Sequence, residues 1–213
     1  RAACEDSAGR IWIGGYSGLH LFSETEGVIK TYKVPSENAN QGQFIQTIVE
    51  DRLGNIWFAS DLNGLSMLHP ASETIRQFMP VQGDPHSLPS ISVLDIAVDQ
   101  NNIFWIATDA ALVRFDPENF SMTSYDHSDG LANDYISAVL CVPEGLVWVS
   151  THEGISSFDP VNVQFVNYTK GDGLANFSYY TRSKFYSDKG MIYFGGKNGV
   201  DYFNPASLRI NPT

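Results

Sequence analysis

Residues with chemical potential are few in this chain, and their spacing argues against most reactions. His152 and Glu153 in "THEGI" form the one adjacent acid/base pair. General acid–base catalysis needs two groups converging on one reacting atom, whereas neighbours on a turn point apart. The segment "DHSDGLANDY" gathers Asp126, Asp129, Asn133 and Asp134, oxygen donors of the kind calcium takes. Its Gly130 is misplaced for a helix-flanked calcium loop, and the related "GDGLAN" at 171–176 lacks the same acids, so a solvated connection is the expectation. The histidines at 20, 69, 86, 127 and 152 show no paired metal-ligand spacing. "GGYSGL" around Ser17 lacks the second glycine of a nucleophile elbow. No catalytic residue, metal site or cofactor is expected.

The bulk properties narrow the partners. The 213 residues carry 13 Lys and Arg against 24 Asp and Glu, a formal charge of −11, which argues against nucleic acid or an anionic membrane surface. No apolar run approaches the roughly 20 residues of a membrane span, so direct membrane insertion is not expected. The chain starts at Arg1 on what reads as the tail of a strand, "AACED", and is expected to be cut from something longer. Cys4 and Cys141 fall at non-equivalent places in different repeats, as small core residues rather than a disulfide pair.

A phrase repeats along the chain: "GRIWIGGYSGL" at 9–19, "GNIWFASDLNGL" at 54–65, "NIFWIATDAAL" at 102–112, "GLVWVSTHEGI" at 145–155 and "GMIYFGGKNGV" at 190–200. Its aromatics, Trp12, Trp57, Trp105, Trp148 and Tyr193, are spaced by 45, 48, 43 and 45 residues, a period shared by propeller blades and helical arrays. The local pattern selects β. Each unit has an extended apolar segment, an Asp/Gly turn, a β-branched and aromatic run, a second turn, a strand ending near Pro, and a last amphipathic strand. Four antiparallel strands per unit describe an all-β propeller of about five blades, near 1–34, 44–82, 91–125, 135–169 and 179–213, and part of a larger, seven-bladed type.

Strand order also locates a site. In such a meander the second-to-third-strand turns and the connections between blades emerge on one face. The other face carries short turns built from the repeat's own residues. The variable face presents Tyr16, Asp61, Asn63, Asp109, Tyr135, His152, Tyr179, Lys197 and Asn198, with Phe44, Phe177 and Tyr180 beside them. Aromatic rings next to hydrogen-bonding groups suit a neutral or weakly charged sugar. Packing of the aromatics between blades is the competing expectation for any single one.

The motif "D-x-x-G-x-I-W-I-G-T-x-x-G-L" followed by "F-D-P" resembles the two-component regulator propeller repeat, best in Asp51 to Leu65 and in Trp148 through Thr151, Gly154, Phe158, Asp159 and Pro160. Two copies depart from it, with Ala110-Ala111 where glycine is expected and Pro143-Glu144 in place of the Asp turn. The resemblance implies a periplasmic sensor region of a bacterial hybrid histidine kinase, non-enzymatic, binding an oligosaccharide and acting as a receptor homodimer. A protein-interaction platform, or a propeller lyase of the kind that opens streptogramin antibiotics, is the alternative.

Overall fold

The computed structural model describes residues 2–34 and 43–208. It contains five antiparallel sheets, each a meander of consecutive strands. The first comprises β1 (Ala3–Glu5), β2 (Ile11–Gly15), β3 (Gly18–Ser23) and β4 (Gly27–Tyr32). The second comprises β5 (Ile45–Glu50), β6 (Ile56–Ser60), β7 (Leu65–His69) and β8 (Thr74–Phe78). β9 (Val93–Val98), β10 (Phe104–Thr108), β11 (Leu112–Asp116) and β12 (Ser121–Tyr125) make the third. β13 (Ile136–Cys141), β14 (Val147–Thr151), β15 (Gly154–Asp159) and β16 (Gln164–Tyr168) make the fourth. The fifth shows three strands among the described residues: β17 (Tyr179–Tyr186), β18 (Ile192–Gly196) and β19 (Gly199–Phe203). Its expected end at 213 lies outside them.

The first strands face one another around a centre, β5 against β9, β9 against β13 and β13 against β17. The core lies between sheets. Each tryptophan of the repeat packs into the following sheet, Trp57 with Val93, Ile96 and Phe104, and Trp105 with Ile136, Val139 and Val149. All four are almost wholly buried. Close sheet approach explains the small residues that end the phrase: a Cβ at Gly14 would lie 2.7 Å from Ile45 Cγ2. At Gly154, with φ of +116°, a Cβ would lie 2.2 Å from the Tyr168 carbonyl oxygen. Ala111 replaces that glycine in the third sheet, where the Thr108 hydroxyl closes the turn by accepting from the Ala110 and Ala111 amides.

The aspartate of the first turn has a second task that spacing alone did not reveal. Six residues before three of the four tryptophans, its carboxylate accepts the indole N–H, at 2.7 Å for Asp6–Trp12, 2.8 Å for Asp51–Trp57 and 3.3 Å for Asp99–Trp105. The fourth repeat has Val142 at that place, and the buried Trp148 Nε1 has no partner among the described residues. The fifth changes both members, to Ser187 and Tyr193. A hydrogen bond to a charged group contributes about 1.5–3 kcal/mol. Trp57→Phe is therefore expected to lower the melting temperature more than Trp148→Phe, which removes equal volume and no hydrogen bond. Equal losses in thermal denaturation would show that the indole–carboxylate bond contributes nothing.

Candidate functional site

The two faces differ as strand order predicts. On one, turns of successive sheets are tied together: Ser7 donates to Glu50 twice at 2.7 Å, Arg52 reaches the Gln100 carbonyl and the Asn102 side chain, and Gln100 reaches the Pro143 carbonyl. That face is structural. On the other, each β2–β3-type turn meets a connection between sheets. Tyr16 packs edge-on against Phe44 with centroids 4.6 Å apart, Tyr135 stacks on His152 at 3.9 Å, and Asn198 bonds to Asn176 and Ala175.

The inner strands of sheets two to five are all bulged near this second face. β5, β9 and β13 each carry one extra residue there, Gln46, Leu94 and Ser137. β17 loses register between Tyr179, opposite Gly196, and Lys184, opposite Phe194, so its bulge is longer. A bulge bends its strand and re-aims a side chain, and this one carries Arg182 at φ of +59°, a conformation disfavoured for a side-chain-bearing residue. Arg182 donates to the Gln46 carbonyl across the centre, while its buried Nε has no partner among the described residues. The expected residue list lacked Arg182. Its signal was a spacing: Leu131 to Trp148 is 17 residues, whereas the matching Leu174 to Tyr193 is 19.

Gly15, Tyr16, Phe44, Ile45, Gln46 and Arg182 line a cleft of about 290 Å³ at this mouth. Gln46 and Arg182 also line a central cavity of about 510 Å³ between the inner strands. Phe44, at φ of +38°, and Tyr16 remain half or more exposed, so their rings are available to a ligand. Asp61 stands nearby. Burial raises its pKa above the ordinary carboxylate value, the Arg182 charge opposes this, and the Asp109 charge adds to it. Asp61 Oδ1 is buried and unpaired among the described residues, and Asp61 makes no ion pair with Arg182 there.

The other expected residues divide. Tyr16 lines this cleft, while Asp61 and Asp109 do not line it. Tyr135 and His152 form a stacked pair on the fourth sheet, and His152 has no hydrogen-bonded carboxylate among the described residues. Lys197 is exposed, and Asn198 holds the last connection. Asn63 is buried, with its amides on Ser60 Oγ and its carbonyl accepting from Gln77. Tyr179 is 4% exposed and donates to Asp201 Oδ2 at 2.7 Å, which together with burial pushes its pKa up. These two are placed as structural residues, because aromatic and amide groups entering a strand are drawn into the interface between sheets. Asp201, also missed, is the anchor: it accepts from the Ala175 and Asn176 amides, Asn176 Nδ2 and Tyr179.

In the calcium candidate, Asp134 is bonded to His127 at 2.7 Å, and Asp126 accepts from Ser128. One ligand atom from each of Asp126, His127 and Asp134 lies within 4.8 Å of the others, while Asp134 and Asp126 Oδ1 also accept protein donors. Deeper in the centre, Lys184 Nζ lies 2.6 Å from Asp95 Oδ2 and donates to the Val139 carbonyl, while the Val139 amide donates to Asp95. This buried ion pair ties sheets three, four and five together. Cys4 and Cys141 are free, and burial pushes the Cys141 thiol up to about 12.

Comparison with known proteins agrees with this architecture. Residues 41–61 match the family model described as two component regulator propeller. They carry that repeat. No curated protein matches the chain in sequence. The extracellular domain of BT3049, described as a hybrid two component system from B. thetaiotaomicron, superimposes with a TM-score of 0.84 at 27% identity, over 96% of this chain and 27% of that one. The corresponding domain of BT4673 from the same organism gives a TM-score of 0.78 at 18% identity, over 98% and 26%. Virginiamycin B lyase from Staphylococcus aureus gives 0.67 at 11% identity, over 95% and 68%, a likeness of fold alone. The chain thus spans about a quarter of the length of the two sensor domains. The fold is a β-propeller with antiparallel meander blades, related to the extracellular domains of hybrid two-component systems.

Proposed function

We propose that this chain forms part of the extracytoplasmic, periplasmic sensor of a bacterial two-component receptor. It binds an oligosaccharide at the mouth of the propeller and performs no chemistry itself. The observation that carries the reading is the convergence of exposed Tyr16 and Phe44 with Gln46 and Arg182 on a 290 Å³ cleft. Ring faces supply flat apolar contact to a sugar, and the polar groups supply directional hydrogen bonds. The propeller repeat and the resemblance to the BT3049 extracellular domain support the receptor setting.

A ligand in this cleft touches the first, second and fifth sheets together. Bound there, it acts on the output by favouring one arrangement of a receptor homodimer, and only a difference in affinity between arrangements drives such a switch. The test combines calorimetry with product analysis. Incubation of the purified protein with defined oligosaccharides is expected to give saturable binding and no new product by mass spectrometry. Turnover abolished by His152→Ala would overturn the non-enzymatic reading, and the absence of binding to any saccharide would overturn the sugar reading.

A further inference from the structure

Six described residues other than glycine have a positive φ, a conformation disfavoured for any residue with a side chain. Glu73, Asn102, Phe120 and Val163 sit in the tight turns between neighbouring strands of one sheet, where hairpin geometry calls for it. Phe44 and Arg182 do not. The first, at +38°, immediately precedes β5, and the second, at +59°, lies inside β17. Both line the same 290 Å³ cleft. Strain kept outside a turn persists only where the surrounding fold imposes it, and here it delivers a ring and a cation to one place.

The cation is uncompensated. Arg182 alone is charged among the residues lining the cleft. Lys184, further along the same strand, has Asp95 at 2.6 Å, whereas Arg182 makes no ion pair among the described residues. Its hydrogen bond goes to a neutral group, the Gln46 carbonyl, and Nη2 makes none among those residues. A partly buried guanidinium without a counter-ion has lost hydration that neutral acceptors replace poorly, and an anion in contact restores it. Beside it the Tyr16 and Phe44 rings, 60% and 50% exposed, offer apolar contact and no charge. The chain's formal charge of −11 acts on an approaching anion from a distance, and salt screens exposed charges beyond roughly 8 Å at physiological ionic strength. Contact with Arg182 decides.

We infer that the cleft takes a saccharide bearing an anionic substituent, carboxylate or sulfate, with Arg182 on the anion and the Tyr16–Phe44 edge on the ring that carries it. This rests on the sugar-binding reading above and deepens it. Arg182 is the specificity-determining residue, and the long bulge of β17 delivers it. The shorter bulges of the other inner strands carry Gln46, Leu94 and Ser137, none of them charged.

The experiment is calorimetric titration of the purified protein with matched pairs. Uronate oligosaccharides are set against their methyl esters, and sulfated galacto- and gluco-oligosaccharides against their unsulfated parents. At least one acidic saccharide is expected to bind at least about tenfold more tightly than its neutral counterpart, since a hydrogen bond to a charged group is worth about that factor or more. Which pair shows the difference tells carboxylate from sulfate. Arg182→Met should remove the preference, whereas Lys189→Met, which deletes an exposed cation from the opposite face, should leave it intact. Comparing each acid with its neutral counterpart needs no variant, so it stands even if Arg182→Met fails to fold. Binding within about twofold for both members of every pair, tighter binding of the neutral members, or a preference that Arg182→Met leaves unchanged overturns the inference while leaving a sugar sensor in place. Binding of no saccharide from any pair overturns the reading on which it rests.

Discussion

Asp51→Ala is expected to lower the melting temperature by roughly 10 °C, since a change of this kind costs about 3–5 kcal/mol and each 1 kcal/mol shifts a domain of this size by about 2–4 °C. The carboxylate is buried and accepts four hydrogen bonds: from the Leu53 and Asn55 amides and Asn55 Nδ2 at 2.9 Å, and from Trp57 Nε1 at 2.8 Å. Removing it leaves those donors facing a methyl group, and desolvated donors without partners destabilise more than the lost bonds themselves. The turn and the tryptophan that packs into the third sheet loosen together. Thermal denaturation followed by circular dichroism reads the effect. A loss below about 2 °C would show that the turn reorganises around the missing acid at little cost.

Lys184→Met has the second large effect, and a characteristic pH dependence. Asp95 is almost fully buried; burial raises its pKa above the ordinary value of 3.8, and the Lys184 charge draws it back. Without the lysine only burial and the amide donors act, so the pKa of Asp95 in the folded protein rises further. A carboxyl whose pKa is higher folded than unfolded binds its proton more tightly in the folded state. Ionisation then costs stability, so stability falls as pH rises through the window between the two pKa values. The variant should be about 3–5 kcal/mol less stable than the parent at neutral pH. That deficit should shrink as pH falls and Asp95 becomes protonated. Denaturant titrations at neutral and acid pH measure it. A deficit independent of pH would mean that lost packing of the lysine stem, not the uncompensated carboxylate, sets the cost.

The fold was largely legible because each repeat states it locally. "IWFAS" is a β-branched and aromatic run that suits a strand buried on both faces, and "DRLG" closes the preceding turn with an aspartate and a glycine, found here at φ of +78°. That the turns between second and third strands share a face with the connections between sheets followed from strand order alone. Residues within it were less legible, because packing between sheets decides which loop side chains point out. Tyr179 and Tyr180 are adjacent aromatics in one segment; the first is anchored by Asp201 from a strand 22 residues away, and the second is exposed. Arg182 was hidden by the same non-locality. Its own strand reads as an ordinary extended run, and only contact with Gln46, 136 residues earlier in the chain, shows that the bulge aims it at the mouth. Val142 is a contrary case, where the sequence showed a missing aspartate but only the buried indole of Trp148 showed what that aspartate does elsewhere.

The central claim is that a sugar binds in the cleft lined by Tyr16, Phe44, Gln46 and Arg182. A crystal structure of the protein with the tightest-binding oligosaccharide tests it most directly. The account predicts ring density against Tyr16 or Phe44, with sugar hydroxyls beside Arg182 and Gln46. Sugar density at another surface, such as the cleft between Pro80–Pro89 and β12, with the mouth free of ligand, would contradict it.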